Sequence, residues 1–321
     1  MASLALFLNQ LENQYHRDQY LSSDPLEFVH RYLDPLDQEA VALLAALLAY
    51  GNVRQIKKSV EDALIRIGKI APSPREFVQT LPLRIAAAEK AFEGFTHRFN
   101  RGGDLVHLFQ LLNYSWNRYG SLGGHFVQHL EPQAPTIEGA LNGLISDWRG
   151  LKFHRKVPST FGFLLTAPSD GSCCKRWCMF LRWMGRRDKL DLGLWTRSSP
   201  LSPGFAAGRS LRADQLIMPL DTHTARISQY LGLTQRKTFG WKTGVEVTDS
   251  LKKIDPNDPT RYDFALARLG ILDICRRSYR EEICLKCQLL PACHFAKGSS
   301  KGVLATRKSS KQRSASTPSL A

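Results

Sequence analysis

Four cysteines near the C-terminal end carry the clearest chemical pattern in the chain. They are Cys275, Cys284, Cys287 and Cys293, so the intervals between them hold eight, two and five residues. The two-residue interval lets one turn of backbone present two thiolates to the same centre, and the outer two can complete its coordination. Four thiolates suit either a tetrahedral zinc ion or a 4Fe–4S cluster, so the spacing predicts an inorganic centre held by this loop.

The composition is that of a folded protein with a strong positive charge. Apolar residues make up 43% of the 321 residues, and the formal net charge is +15. A surplus of this size favours a polyanionic partner such as nucleic acid, because neutralised phosphates release their counterions. Six of the charges lie in the acid-free segment 294–321, which we expect to be a basic disordered tail, and residues 1–293 then carry +9.

The chain lacks the sequence features of a membrane or secreted protein. Its longest apolar run, Ala40 to Tyr50, has 11 residues and is too short to cross a bilayer. The first ten residues have neither the basic start nor the cleavage site of a signal peptide. We therefore expect a cytoplasmic protein without a membrane partner, in which the seven cysteines serve as metal ligands or buried thiols rather than disulfides.

Hydrophobic periodicity predicts α-helices nearly throughout the chain. The segment Glu39 to Tyr50 has the composition of a buried helix, and Gln55 to Ile67 carries an apolar stripe at helical spacing. We expect Asp104 to cap a third helix, and Asp258, followed by Pro259, to begin another. Short β-like runs are too few to form a sheet, so the sequence predicts an all-α fold.

Two further segments, taken with the cysteines, resemble the helix-hairpin-helix (endonuclease III-like, HhH-GPD) superfamily of DNA glycosylases. The first runs into an apolar helix and reads Gly171-Ser172-Cys173-Cys174-Lys175-Arg176; the second, similar to the family's aspartate segment, reads Leu220-Asp221-Thr222-His223. The resemblance implies a two-lobed helical fold, with Lys175 as the nucleophile and Asp221 as the catalytic carboxylate. It also implies a 4Fe–4S cluster on the four cysteines, with zinc as the alternative. The whole chain further resembles an uncharacterised bacterial family of unknown function.

The same resemblance implies where DNA would be contacted. The segment Leu44 to Asn52 is similar to the one that sends a wedge side chain into the duplex, so Asn52 is a predicted DNA contact. We expect Arg176, beside Lys175, to be another. The cysteine loop would hold further basic side chains against the DNA backbone, namely Arg276, Arg277, Arg280 and Lys286.

The chain departs from the family pattern in three places. The hairpin keeps one glycine, and Asp170 brings a negative charge towards the position of a DNA phosphate. Lys175 and Asp221 are 46 residues apart, so we expect an insertion at about 186–216. Residues at about 75–150 have no counterpart and are predicted to form extra helices. The sequence thus predicts one helical region over 1–293, which includes the cysteine loop 275–293.

The function that the resemblance implies is base-excision repair by a monomeric, nucleoid-associated enzyme. Its substrate would be double-stranded DNA with a damaged base, which must be flipped out of the stack before its glycosidic bond can be broken. A lysine amine that attacks the sugar forms a Schiff base, which permits strand cleavage by AP-lyase chemistry. Two alternatives stay open: a non-catalytic nucleic-acid-binding protein on the same scaffold, and a zinc-stabilised interaction protein.

Overall fold

The fold is almost entirely helical. The computed structural model describes residues 2–152, 157–201, 209–276, 278–296 and 298. Within these ranges the strands are β1 (Thr96–His97) and β2 (Asn100–Arg101), which pair antiparallel. The prediction of an all-α fold is therefore confirmed. None of the helices in these ranges combines the length and the apolar character needed to cross a lipid bilayer.

The described helices fall into two groups along the chain. The first group comprises α1 (Ala2–Tyr15), α2 (Pro35–Leu47), α3 (Val53–Gly68), α4 (Pro74–Thr80), α5 (Ile85–Ala91), α6 (Gly102–Tyr119), α7 (Leu122–Gln128) and α8 (Glu138–Gly150). The second comprises α9 (Lys175–Gly185), α10 (Thr222–Tyr230), α11 (Trp241–Lys252), α12 (Asp263–Ile271) and α13 (Glu281–Cys284). Helices α4 to α8 occupy the range 75–150, for which the sequence predicts extra helices.

The buried apolar side chains form two hydrophobic clusters. The larger one surrounds α2, whose residues from Ala40 to Leu47 are almost completely buried, and it includes side chains of α3 to α9. The smaller one joins α1 to α10, α11 and α12 through side chains such as Leu8, Ile227 and Leu266. Helix α9, which starts at Lys175, therefore belongs to the larger cluster, whereas α10, which follows Asp221, belongs to the smaller one.

The two predicted helix caps differ in outcome, because Asp104 does cap a helix, from within its first turn, whereas Asp258 does not. Helix α6 begins at Gly102, and Asp104 lies in its first turn, where its carboxylate accepts a hydrogen bond from Arg101 N at 2.7 Å. Helix α12 begins at Asp263 rather than after Asp258. The Asp258 carboxylate instead binds the guanidinium of Arg186 at 2.8 Å, 72 residues away in sequence. A residue type that favours helix caps can therefore bind a distant partner instead of a helix start.

The predicted insertion at 186–216 is partly built into the core. Trp195 is fully buried, and its indole N–H donates to Glu39 Oε1 at 2.7 Å. Its ring lies against Gly123, where a Cβ atom would approach Trp195 Cδ1 to 2.7 Å. This segment therefore contributes to packing instead of forming a surface loop alone. Residues 202–208, and all of the predicted tail beyond residue 298, lie outside the described residues.

Candidate active site

Lys175 is the first residue of α9 and is half-buried. The chain enters the helix through a tight turn, with positive φ angles of 74° at Gly171 and 48° at Cys174. The Lys175 ammonium donates a hydrogen bond to the carbonyl oxygen of Ala49 at 3.1 Å. Ala49 lies just after α2 and before Asn52, so Lys175 contacts the segment that the resemblance assigns to the DNA wedge.

Asp221 caps the N-terminus of α10. Its Oδ1 atom accepts hydrogen bonds from the backbone N–H groups of His223 and Thr224, both at 2.8 Å. Burial disfavours the charged carboxylate, but the positive charge of Lys175 and these two N–H groups outweigh it, so the pKa of Asp221 is lowered. Oδ2 accepts none of the hydrogen bonds found among the described residues, which leaves one oxygen of an ionised carboxylate for another partner.

Lys175 and Asp221 lie near each other without direct contact. Within the described ranges they form no ion pair at 4.0 Å or less, yet the charge of Lys175 lowers the pKa of Asp221. The two predicted catalytic groups, 46 residues apart in sequence, therefore face the same region of the molecule.

A third ionisable group, Asp263, lies close to both of them and was not foreseen from the sequence. Burial raises the pKa of Asp263 to about 6, although the charges of Arg182 and Lys175 oppose this effect and that of Asp221 adds to it. Arg182 Nε lies 3.0 Å from Asp263 Oδ2. In sequence Asp263 looks like an ordinary acidic residue in the first turn of a helix. Its raised pKa depends on burial where α12 packs beside α10, and no local sequence pattern indicates this packing.

The negative charge of Asp170 in the hairpin is neutralised by Arg149. The two Arg149 terminal nitrogens bind the two carboxylate oxygens of Asp170 at 3.1 and 2.5 Å and hold the pKa of Asp170 below its usual range. The hairpin itself differs from the expected pair of helices. Before Gly171 the chain forms short 3-10 turns at Phe161–Phe163 and Pro168–Asp170, and only the following element, α9, is α-helical.

Arg176, which the sequence analysis predicts as a DNA contact, is buried in this structure. The residue is only 7% exposed, and its guanidinium donates to the carbonyl oxygens of Leu47, at 3.0 Å, and Phe163. It also lies 3.9 Å from the centre of the Phe163 ring, and burial lowers its pKa to about 10. Arg176 thus joins the end of α2 to the turn before the hairpin. Asn52, in contrast, is exposed and caps α3 through Arg54 N at 2.9 Å.

The sulfurs of the four C-terminal cysteines lie within electrostatic reach of one another. Burial raises the pKa of Cys275 to about 11 against the opposing charge of Arg226, and the sulfurs of the other three cysteines raise it further. Two of the sulfurs accept backbone hydrogen bonds at 3.4 Å, Cys284 from Arg280 N and Cys293 from Ala296 N. Such N–H···S bonds stabilise thiolates that bind a metal centre.

No three of these sulfurs lie as close together as a zinc ion requires. Across the described residues, three potential ligand atoms approach within 4.8 Å of one another only at His125, His129 and Asp147. No three cysteine sulfurs are therefore that close. A tetrahedral zinc with Zn–S bonds of about 2.3 Å separates its sulfurs by only about 3.8 Å. A cluster of four irons and four sulfides is larger and holds its thiolates farther apart.

The basic residues of the cysteine loop differ in their surroundings. Arg280 and Lys286 are exposed. Arg276 forms an ion pair with Asp273, three residues earlier in the chain. Asp273 is exposed. Arg277 lies outside the described residues. Among the described residues, Arg280 and Lys286 form no ion pair that a partner would have to break.

Comparison with known proteins identifies a family but not an activity. Searches of curated proteins and of solved structures gave no match. A family model described as a protein of unknown function, DUF2400, matches residues 24–272. The matched region contains Lys175, Asp221 and Asp263 and ends three residues before Cys275. Because the match covers most of the chain, the protein belongs to the DUF2400 family.

Proposed function

We propose that this protein is a DNA base-excision glycosylase with an AP-lyase step, in which Lys175 is the nucleophile and Asp221 the catalytic carboxylate. One observation carries the proposal. The charge of Lys175 lowers the pKa of Asp221, although the two groups make no ion pair within 4.0 Å among the described residues. The space between them is where the sugar of a flipped nucleotide would lie.

The proposed reaction uses each group for one task. Asp221, held by the N-terminus of α10, stabilises the positive charge that develops on the sugar as the base leaves with the electrons of the glycosidic bond. The neutral amine of Lys175 bonds to the anomeric carbon. The ring oxygen then leaves that carbon with the bonding electrons and takes a proton from the amine, which forms the Schiff base. Loss of a proton from C2′ then expels the 3′ phosphate and breaks the strand.

The surroundings of Lys175 support a DNA substrate. Its contact with Ala49 brings the exposed Asn52 segment to the same region, where a side chain could fill the space of a flipped base. Arg149 neutralises Asp170, so the hairpin does not present an unbalanced negative charge to a phosphate. The net charge of +15 supplies long-range attraction to a polyanion.

We further propose that Cys275, Cys284, Cys287 and Cys293 hold a 4Fe–4S cluster, with zinc as the alternative. The electrostatic effect of the other three sulfurs on Cys275 and the two N–H···S hydrogen bonds support an inorganic centre in this loop. When bound, the cluster would be structural and would link the loop to the smaller hydrophobic cluster, which Cys275 and Cys287 contact. The loop would then present Arg280 and Lys286 to the DNA backbone.

A nucleic-acid-binding protein without catalytic activity is the second candidate. The observation that favours it is the hairpin, in which a 3-10 turn takes the place of the first helix and Arg176 is buried. This candidate requires salt-dependent binding to duplex DNA, because binding would depend on phosphate contacts. It also requires that Lys175→Gln and Asp221→Asn leave that binding unchanged and that no product forms.

The decisive experiment combines activity with covalent trapping. Full-length protein is incubated with duplexes that carry single oxidised, alkylated or deaminated bases, with and without borohydride. We expect wild type to release one class of base and to form a trapped adduct that Lys175→Gln abolishes. Asp221→Asn retains the oxygen that caps α10 but loses the charge, and should reduce base release at least about 100-fold.

Two matched control variants, Lys242→Gln and Asp249→Asn, change exposed residues of the same types on α11. Both should retain wild-type activity. Binding without base release or adduct on any duplex would favour the second candidate. Base release that survives Asp221→Asn, or an adduct that survives Lys175→Gln, would refute the proposed roles.

A further inference from the structure

Helix α7 with its C-cap residue and helix α8 bring two imidazoles and a carboxylate to one point, and none of the three is a proposed catalytic residue. His125 Nε2 lies 3.1 Å from Asp147 Oδ2, and His129 Nε2 lies 2.9 Å from the same oxygen. The three atoms are all within 4.8 Å of one another. Neither the family description nor the resemblance to glycosylases accounts for this arrangement.

The packing around the two histidines fixes their rings. They are four residues apart at the end of α7, so they lie on the same side of the helix. The His125 ring is fully buried and stacks on Tyr119 with 4.2 Å between the ring centres. The His129 ring lies against Gly143 of α8, where a Cβ atom would approach His129 Cγ to 2.4 Å. The absence of a side chain at residue 143 is therefore what allows His129 to reach Asp147.

A buried serine orients the His125 ring. Ser115 Oγ lies 3.0 Å from His125 Nδ1 and 3.1 Å from Leu111 O, and it accepts a hydrogen bond from Trp148 Nε1 at 2.9 Å. When the single hydroxyl proton goes to Leu111 O, Ser115 must accept the Nδ1 proton of His125. His125 Nε2 then points a lone pair at the Asp147 carboxylate. Metal-binding histidines are held in this tautomer by the same kind of outer hydrogen bond.

We propose that His125, His129 and Asp147 bind a divalent first-row transition-metal ion. Metal–nitrogen and metal–oxygen bonds of about 2.0–2.2 Å separate neighbouring ligand atoms by roughly 3.0–3.4 Å. The observed separations of 2.9 and 3.1 Å fit such a centre after small movements. Two imidazoles and a carboxylate suit zinc, iron(II) or nickel rather than calcium or magnesium.

The proposed site is open to solvent on one side. The His125 side chain is fully buried, whereas the side chains of His129 and Asp147 are 28% and 42% exposed. Three protein ligands leave at least one coordination position for water or for an oxygen atom of a bound ligand. The metal would also join α7 to α8, whose Arg149 holds the hairpin residue Asp170. This assignment does not depend on base-excision activity.

Cobalt(II) is a suitable probe because it reports the ligand type. Thiolate ligands give it an intense near-ultraviolet charge-transfer band, whereas imidazole and carboxylate ligands give only weaker visible bands. We expect full-length wild type to bind one cobalt ion without a thiolate band, in addition to any bound by the cysteines. Asp147→Asn and His129→Gln change partly exposed side chains and should raise the dissociation constant of this ion at least about tenfold, with the thiolate band unchanged.

The control variant is Asp214→Asn, which removes a partly exposed carboxylate that pairs with Arg212 far from the histidines in sequence. It should bind cobalt as wild type does, and circular dichroism should show that all variants are folded. The competing arrangement has Ser115 donating to His125, with Asp147 accepting N–H groups from both imidazoles and no metal. Wild type without a cobalt site of the nitrogen and oxygen type, or both site variants with unchanged affinity, would favour that arrangement and overturn the proposal.

Discussion

The carboxylate of Glu39 provides the sharpest test of how the larger hydrophobic cluster is held together. It lies on α2, is completely buried, and accepts four N–H groups. Oε2 accepts from Trp116 Nε1 at 2.6 Å and from Leu122 N at 2.9 Å. Oε1 accepts from Trp195 Nε1 at 2.7 Å and from Gly123 N at 3.1 Å. Every partner is a donor, and two of them belong to the positive end of α7.

Glu39→Gln keeps the size of the side chain but replaces one of these acceptor oxygens with an NH₂ group. Either orientation of the amide then turns an N–H group towards one indole N–H and one backbone N–H. Each buried donor that loses its acceptor costs about 1–3 kcal/mol. The variant no longer buries a charge, which offsets part of this loss. We therefore expect the free energy of unfolding to fall by about 3 kcal/mol.

The measurement is urea unfolding at pH 7, followed by tryptophan fluorescence because two donors to Glu39 are indoles. The control is Glu61→Gln, which removes an exposed carboxylate paired with Arg31. An exposed pair contributes at most about 1 kcal/mol, so the control should remain close to wild type. If Glu39→Gln were as stable as Glu61→Gln, the four-donor arrangement would be incorrect.

Two further predictions concern the candidate site and the cysteine loop. Burial raises the pKa of Asp263 to about 6, whereas an unfolded carboxyl titrates at about 3.9, so this group's contribution to stability is lost as the pH rises from about 4 to about 6. Measured by urea unfolding, the free energy of unfolding of Asp263→Asn should therefore increase by about 2 kcal/mol relative to that of wild type over this pH interval. A difference between the two proteins that does not change with pH would contradict the raised pKa. Anaerobically purified wild type should contain iron and sulfide in equal amounts; Cys287→Ser should lose both, whereas Cys173→Ser, outside the loop, should retain them. Zinc without sulfide would instead support the zinc alternative.

The sequence predicts those parts of the fold that depend on local patterns. The stripe at Gln55 to Ile67 matches α3, which spans Val53–Gly68, because an amphipathic helix needs only its own spacing and one apolar surface to pack on. The start of α10 after Asp221 follows from local capping for the same reason. Asp258 shows where this reasoning stops, because its partner Arg186 is brought to it only by the completed fold.

The sequence predicts a residue of the candidate site correctly only where the role that its local pattern indicates agrees with its contacts in the folded structure. Lys175 and Asp221 could be paired through resemblance, and the charge interaction between them depends on how the fold places the start of α9 near the start of α10. Arg176 has the sequence context of a DNA contact, because it is a positively charged residue beside the proposed nucleophile. In the structure its guanidinium is buried and donates hydrogen bonds to backbone carbonyls. Asp263 carries no local signal at all, because its raised pKa arises from burial and from charges on other helices.

Helices α7 and α8, two of the extra helices in the range 75–150, contact the segments that position Lys175. Glu39 fixes α2 to the start of α7, and α2 ends beside Ala49, whose carbonyl accepts the Lys175 hydrogen bond. Arg149, at the end of α8, holds Asp170 in the hairpin that precedes the same lysine. Helices α7 and α8 therefore support both the segment and the hairpin that flank Lys175. A metal ion on His125, His129 and Asp147 would strengthen this support where the two helices meet. It follows that loss of that ion should disturb the hairpin before it disturbs Asp221, whose helix belongs to the other hydrophobic cluster.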